Sequence, residues 1–181
     1  ARSAANRGPM QARAIQIETS LKELSRLSEK LMQLAKAEGG GVLSECPQDL
    51  VVLLSHVVQE LQRAASVPIE STMPPSGAVL TLIDPDAFAI LARNLIENAL
   101  KHGAPDCAIE VSLSDSARLT VVNAGVVEPA VDLAQLTGHF VRAGSRAEGF
   151  GLGLAIVATI AHGVGAELTF ASPATGRSDG F

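Results

Sequence analysis

Apolar residues in the first part of the chain recur at intervals of three and four, the spacing of one face of an α-helix. Between Gln11 and Glu38 they alternate with Glu, Lys, Ser and Arg, and they are Ile17, Leu21, Leu24, Leu27, Leu31 and Leu34. This pattern predicts one amphipathic helix that packs against partner helices. Gly39-Gly40-Gly41 follows, and because glycine favours helix ends and is conformationally free, the helix and its domain are predicted to end there.

Two further helices are predicted before the middle of the chain. Pro47 suits a first helical turn, and apolar spacing continues from Leu50 to Ala65. Asp84-Pro85-Asp86 combines a capping carboxylate, a proline at the first helical position and a second acid at the positive helix end. The third helix is therefore predicted to begin there and to run to about His102, where Gly103 ends it.

The remaining regular pattern is that of short strands and one more helix. Strands are predicted at Ile69–Met73, Val79–Ile83, Ile109–Leu113, Leu119–Val121 and Glu167–Ala171, and the helix at Leu152–Ala161. Few strands are joined by a crossover helix, so the fold class expected is an α/β (α+β) two-layer sandwich, with a mixed sheet covered on one side by helices. The predicted division is a tail at 1–10, a bundle helix with its glycine segment at 11–41 and a domain at 42–181.

Composition narrows the class of protein. The 181 residues carry a formal net charge of −5, which argues against a nucleic-acid surface because phosphate binding needs clustered Lys and Arg. The two cysteines, Cys46 and Cys107, lack metal or redox spacing and are expected to be buried and unpaired. Residues 149–166 are uncharged and about as long as a membrane span, but their glycines and His162 favour a packed loop and helix.

One predicted helix carries an unusual set of polar side chains. Asn94, Asn98 and Lys101 stand at i, i+4 and i+7, so they project from one helical face, while Ala89, Ala92, Ile96 and Leu100 face the core. Amide oxygens can ligate Mg²⁺ and an ammonium offsets phosphate charge, so this face suits a polyphosphate. Taken alone, the same pattern also fits an ordinary exposed helix face.

A glycine-rich turn precedes the last predicted helix. In Gly149-Phe150-Gly151-Leu152-Gly153-Leu154 the glycines allow close backbone approach, and the first N–H groups of the helix point at any anion placed there. The segment lacks the Lys-Ser/Thr of a P-loop and the glycine spacing of a Rossmann turn. A turn of this kind is weak evidence for nucleotide binding by itself.

Taken together and in this order, the two motifs make the chain resemble the histidine kinase branch of the ATPase family that includes gyrase, Hsp90 and MutL. Residues 94–102 resemble its N box, 123–125 its first glycine box, 140–142 its F box and 149–154 its second glycine box. The resemblance covers roughly Cys46 to Phe181 and implies the Bergerat-type ATP-binding fold.

The resemblance implies roles for the matching residues. Asn98 would bind Mg²⁺, Lys101 and the backbone of 151–154 would hold phosphates, and 125–150 would form a lid over ATP. The residues implied for the nucleotide site are Asn94, Asn98, Lys101, His102, Asn123, Gly125, Phe140, Arg142, Gly149, Gly151, Leu152, Gly153 and Leu154. From its position at the helix end, His102 is also expected to cap the negative helix terminus.

Two positions bear on the reaction. The family's hydrolysing members have a glutamate where this chain has Asn94, and an amide cannot activate water as a base. Transfer to a side chain is therefore favoured over hydrolysis. Glu97 is at the position that the resemblance assigns to histidine activation, although as a residue alone it also fits a surface acid.

Asn123 departs from the usual aspartate of the first glycine box, so adenine would be held by a neutral acceptor.

The helix at 11–38 resembles the second helix of the histidine kinase dimerisation domain, in which two helical hairpins form a four-helix bundle. None of the four histidines, His56, His102, His139 and His162, lies in the context of a phosphoacceptor. The resemblance implies a histidine on another helix, a homodimer in the intact protein, a response regulator receiver domain as partner, and a cytoplasmic location beneath a bacterial inner-membrane anchor. The alternative is a nucleotide-binding regulatory module without kinase activity; an ATP-hydrolysing machine is disfavoured by Asn94.

Overall fold

The computed structural model describes residues 7–125 and 152–181, which form four helices and five strands. Their order along the chain is α1 (Arg7–Glu38), β1 (Leu43–Asp49), α2 (Leu50–Ala64), β2 (Ile69–Thr72), β3 (Leu80–Ile83), α3 (Pro85–His102), β4 (Ile109–Leu113), β5 (Leu119–Asn123) and α4 (Gly153–Gly163). None of the described helices combines the length and apolar character that crossing a membrane requires.

The first helix is longer than its sequence pattern indicated, beginning at Arg7 instead of Gln11, and it ends at Glu38 as predicted. In its last two helical turns, Leu34 and Ala37 face the domain and are buried. Earlier apolar residues such as Leu21 and Leu24 remain exposed. The helix therefore uses a different face for the packing seen here than the one formed by most of its leucines.

The predicted capping signal of α3 is confirmed. Asp84 accepts a hydrogen bond from the Ala87 backbone N–H at 3.0 Å, with Pro85 in the first turn of α3. Asp49 does the same for α2, accepting from Val51. The assignment of Pro47 to a helical turn was wrong, since it lies in β1, and the cap at Asp49 starts α2 two residues later.

The strands form two small sheets. In one, β1 pairs with β3 antiparallel; in the other, β4 lies between β2, to which it is parallel, and β5, to which it is antiparallel. Ile109 and Val111 point into the core and Glu110 points to solvent, so one face of the mixed sheet is covered. The predicted two-layer sandwich with a mixed sheet is confirmed.

The predicted strand Glu167–Ala171 is wrong: the chain there has no regular structure. Backbone pairing beside β5 comes instead from the last two residues, because Asn123 and Phe181 exchange two hydrogen bonds of 2.9 and 3.1 Å. Gly180 donates a third to the Gly125 carbonyl. The Phe181 ring also stacks on Phe170 at 5.7 Å between ring centroids, which draws the intervening segment against the domain.

The core forms where α3 packs on the sheet between its two helical neighbours. Side chains with almost no exposure come from all these layers and include Leu54, Ile96, Ile109, Val111, Leu152, Ile156 and Ile160. The expectation that Ala92 and Ile96 face this core is confirmed. The expectation of buried thiols is wrong, because Cys46 is exposed and Cys107 is half-buried. The helix with the polar motif is thus held rigidly at the centre of the domain.

Candidate functional site

The polar face of α3 is graded in depth. Asn94 is 3% exposed, Asn98 is half-buried and Lys101 is exposed, so the face rises from the core to solvent over two helical turns. The Asn94 amide donates to the Ile90 carbonyl at 2.7 Å, and this contact fixes its orientation. This gradient of burial differs from the evenly exposed helix face that was the alternative from sequence.

The glycine turn before α4 meets this face at its deep end. A Cβ atom built on Gly153 would lie 3.2 Å from the Asn94 side-chain oxygen, so only glycine leaves the two groups undisturbed. The residue that caps α4, Leu152, has no side-chain acceptor, and the N–H groups of the first turn, including that of Leu154, keep the anion affinity of a helix start. The structure therefore brings Gly153, the described glycine of the second motif, to Asn94.

The C-terminal end of α3 meets the first glycine motif. A Cβ on Gly103 would lie 3.3 Å from the Asn123 Cβ, and one on Gly125 would lie 3.5 Å from the His102 carbonyl oxygen. Asn123 is 4% exposed, and its amide donates to the Ala124 carbonyl at 3.2 Å. Asn123 is therefore a buried amide at this end of the helix.

The geometry defines an elongated site along one helix. Asn94 and His102 are eight residues apart, which is roughly 12 Å along the helix axis at the usual rise per residue. One end offers a buried amide between backbone turns, and the other offers helix N–H groups beside an amide. A ligand with a flat polar group at one end and an anionic chain at the other matches this spacing.

An ion pair that the sequence did not predict lies beside the deep end. The Lys30 ammonium of α1 is 2.5 Å from the Asn94 side-chain oxygen and 3.2 Å from a Glu97 carboxylate oxygen. The sequence did contain one signal of this ion pair, which is the presence of a lysine between Leu27 and Leu34 on the inner face of the first helix. Its partners, however, are separated from it by more than sixty positions.

One described side chain could offer an oxygen to a magnesium ion. Asn98 lies one turn beyond Asn94 and is half-buried, so its side chain is partly accessible to solvent. Among residues 7–125 and 152–181 there is no cluster of three or more His, Cys, Asp or Glu side chains that could hold a metal by itself. The described residues thus fit an ion that keeps its waters and shares phosphate oxygens, as Mg²⁺ does.

Several predicted site residues fall outside the described part of the chain. They are Phe140, Arg142, Gly149 and Gly151, together with the proposed lid at 125–150 beyond Gly125 itself. Of the described ones, the structure brings Asn94 and Gly153, with Leu154 next to it, together near the middle of α3. Asn123, Gly125 and His102 meet at its C-terminal end, with Asn98 and Lys101 between the two places.

The fold and these paired motifs agree with a family assignment. The family model described as "Histidine kinase-, DNA gyrase B-, and HSP90-like ATPase" matches residues 83–180, more than half of the chain. The chain belongs to this family. Its ATP-binding domain therefore includes α3, the mixed-sheet strands β4 and β5, and α4.

Curated relatives include a protein named as a sensor protein kinase. The chain is 30% identical over 170 residues to the sensor protein kinase PmrB of Pseudomonas aeruginosa, covering 90% of this chain and 34% of PmrB. The chain spans about a third of the length of the curated relatives it matches.

Solved structures of histidine kinases share the fold at low identity. The mycobacterial sensor histidine kinase MprB superposes with a TM-score of 0.57 and 22% identity, over 66% of this chain and 79% of that one. Full-length ShkA, solved in complex with AMPPNP, gives a TM-score of 0.66 and 22% identity, over 86% of this chain and 34% of ShkA. At these identities the agreement is one of fold.

Proposed function

We propose that this chain is the ATP-binding catalytic portion of a sensor histidine kinase, which binds Mg·ATP and transfers its γ-phosphoryl group to a histidine outside this sequence. The observation that carries the proposal is the convergence on α3: Gly153 lies against Asn94 and Gly125 lies against His102. Two glycine motifs far apart in sequence thus flank one amide-rich helix. The shape and the negative charge of ATP suit such a site.

The described residues would divide the work by position. Asn123 would accept a hydrogen bond from the adenine amino group, and the Gly153 and Leu154 N–H groups would face the phosphates. Asn98 would supply one oxygen to Mg²⁺, while Lys101 would offset phosphate charge, with His102 closing the helix end. Phe140, Arg142, Gly149 and Gly151 would complete the nucleotide site from the segment outside the described residues.

The chemical step needs positioning more than strong base catalysis. A ring nitrogen of the acceptor histidine would bond to the γ-phosphorus as the bond to the ADP oxygen breaks, and Glu97 would take the proton from the other ring nitrogen. Asn94 would not activate water, because an amide is not a base, which favours transfer over hydrolysis. The phosphoryl group would then pass to a response regulator receiver domain.

The location and assembly proposed follow from the relatives. PmrB is named a sensor protein kinase, and in an intact protein of that kind this portion would lie on the cytoplasmic side of a bacterial inner membrane and dimerise through a bundle containing α1. A kinase-inactive nucleotide-binding module is the second candidate. It is favoured by one observation, the neutral buried Asn123 at the adenine end.

The test compares two variants on opposite faces of α3. Asn98→Ala should leave the fold intact, because its half-buried side chain is outside the core, but should abolish the Mg²⁺-dependent part of ATP affinity. Ile96→Ala, two residues away and 0% exposed, should instead cost about 2 to 5 kcal/mol of stability through the cavity it leaves. Calorimetric titration with ATP, with and without Mg²⁺, and thermal melts separate the two effects.

A labelling experiment distinguishes the two candidate functions. Incubated with γ-labelled ATP, the chain alone should acquire no acid-labile label, and a separately supplied bundle carrying the acceptor histidine should acquire it. Unlabelled bundle with intact ATP binding would favour the regulatory module. Metal-dependent ATP binding that persists unchanged in folded Asn98→Ala would refute the site itself.

A further inference from the structure

The inner face of α1 contains one charged residue in an otherwise apolar row. Leu27, Lys30, Leu34 and Ala37 follow each other at intervals of three and four, so they share one face of the helix. Leu34 and Ala37 are buried, and Leu27 packs against the core from its edge. Lys30 is therefore placed against the domain by the packing of its neighbours, although most of the helix surface is open to solvent.

The ammonium of Lys30 engages Glu97, the base in the proposed reaction, and Asn94, which is among the residues implied for the nucleotide site. It lies 2.5 Å from the Asn94 oxygen and 3.2 Å from Glu97, and only 22% of the Lys30 side chain is exposed. On its other side Asn94 is closed by Gly153, whose Cβ position is 3.2 Å from the same oxygen. With α1 in this position, Asn94 is 3% exposed and its side-chain oxygen already accepts a hydrogen bond from Lys30.

We propose that Lys30 is a regulatory residue that makes the docking of α1 and the binding of the terminal phosphate of ATP mutually exclusive. With α1 docked, Lys30 occupies the Asn94 oxygen, holds Glu97 in an ion pair and covers the deep end of the site. When α1 leaves, both groups become accessible to the nucleotide and the acceptor. This inference rests on the proposed function, because it assumes that the phosphates enter beside Gly153.

The segment that follows α1 allows such a movement. Gly40 has a φ of +84°, and neither Gly40 nor Gly41 has any atom within 4 Å of its Cβ position, so the chain there has open space around it. Glycine also has the widest backbone freedom of any residue. The helix can therefore change its orientation at 39–41 without unfolding the domain.

A second ion pair between the same two helices provides a matched control. Lys36 lies 2.8 Å from Asp86, with side chains that are 48% and 75% exposed, and surface pairs of this kind contribute little. Asp86 is eight residues before Asn94, or roughly 12 Å away along α3. Removing Lys36 therefore weakens a contact of α1 with α3 while leaving the deep end of the site unchanged.

The experiment titrates ATP in the presence of Mg²⁺ into the wild-type chain, Lys30→Met and Lys36→Met. Methionine keeps the side-chain stem and helix propensity but removes the charge, and it leaves the buried Asn94 oxygen without its donor when α1 is docked. Because apparent affinity falls with the fraction of competent molecules, Lys30→Met should bind ATP about 5-fold more tightly or better. Lys36→Met should stay within about twofold of the wild type.

Amide hydrogen exchange reads the docking directly. Without nucleotide, the amides of residues 24–38 should exchange faster in Lys30→Met than in Lys36→Met. In the wild type, added ATP should accelerate their exchange, because coupling between two binding events is reciprocal. Thermal melts of the three proteins show that each one is folded before its affinity is compared.

The outcomes separate this inference from the proposed function. Equal ATP affinity in Lys30→Met and wild type would overturn the competition, and weaker binding would overturn it by making Lys30 a phosphate ligand. Equal exchange of 24–38 in both variants would overturn the docking role of Lys30, whatever the nucleotide data show. If none of the three proteins binds ATP, it is the proposed function that fails.

Discussion

The substitution Asn123→Asp tests the adenine end of the site most sharply, because it should change stability and affinity in opposite directions. Asn123 is 4% exposed, and its amide donates to the Ala124 carbonyl oxygen at 3.2 Å. An aspartate would remove that donor, bring a carboxylate against a carbonyl oxygen and bury a charge. Without nucleotide, all three changes are unfavourable.

The size of the stability loss follows from that contact. A buried polar group left unsatisfied costs about 1 to 3 kcal/mol, and more when it is charged. For a chain of this length, that corresponds to a melting temperature lower by roughly 2 to 12 °C. Burial without a donor would raise the pKa of the new carboxyl above the ordinary range of an aspartate.

The raised pKa of the new carboxyl also predicts how the stability loss depends on pH. A carboxyl whose pKa is raised by folding binds its proton more tightly in the native state, so its destabilising effect grows as the pH rises through the range between the two pKa values. The deficit relative to wild type should therefore be full near neutral pH and should shrink as the pH falls towards the ordinary range of an aspartate. Thr120→Asp, at an exposed position of the same strand, is the control and should show no such trend.

Affinity should move the other way. A hydrogen bond to a charged acceptor is worth about 1 kcal/mol more than one to a neutral acceptor, so ATP should bind roughly 5-fold more tightly to Asn123→Asp than to wild type. Thermal melts across pH and calorimetric titration with ATP measure the two effects on the same samples. Unchanged or weaker ATP binding would refute contact between residue 123 and the adenine amino group, and an unchanged melting temperature would refute its buried hydrogen bond.

Two further predictions concern contacts that hold the frame of the site. Gly180→Ala should cost about 1 to 2 kcal/mol for its left-handed backbone, at a φ of +83°, plus the loss of pairing with β5, since a Cβ there would overlap the Asn123 carbonyl. Gly176→Ala is the control, because Gly176 has a similar φ of +81° but open space around its Cβ position. The Asn123 backbone amide should exchange fast in Gly180→Ala and stay slow in Gly176→Ala. Asp84→Ala should lose about 0.5 to 2 kcal/mol by removing the cap of α3, whereas Asp84→Asn should lose little. Urea midpoints for this pair decide the matter, and equal losses would contradict the capping role.

Local chemistry made α3 and its polar motif predictable from the sequence. Asp84, Pro85 and Gly103 set the ends of the helix through contacts with residues close in the chain. The spacing of Asn94, Asn98 and Lys101 then follows from helical geometry alone. The alternating strands Ile109–Leu113 and Leu119–Asn123 were readable for the same reason, since burial on one face has a period of two.

Local signals failed where pairing between distant segments decided the outcome. Pro47 reads as a helix start, yet it lies in a strand because β1 pairs with β3, more than thirty positions later. Residues 167–171 read as a strand, yet the place beside Asn123 is taken by Phe181. In both cases the competing partner is invisible to a pattern of neighbouring residues.

The sequence by itself determined which side chains make up the candidate site, because helix spacing and glycine turns are local properties. Tertiary packing alone decided their surroundings: Asn94 became the most deeply buried of the described polar members, and Lys30 was brought to it from 64 positions away in the sequence. The reason is that burial and ion pairing depend on which surfaces meet, and the apolar row on α1 brings Lys30 into contact only when that helix packs on α3 and α4. The residues of the candidate site could therefore be predicted from the sequence, whereas their accessibility depended on the tertiary structure.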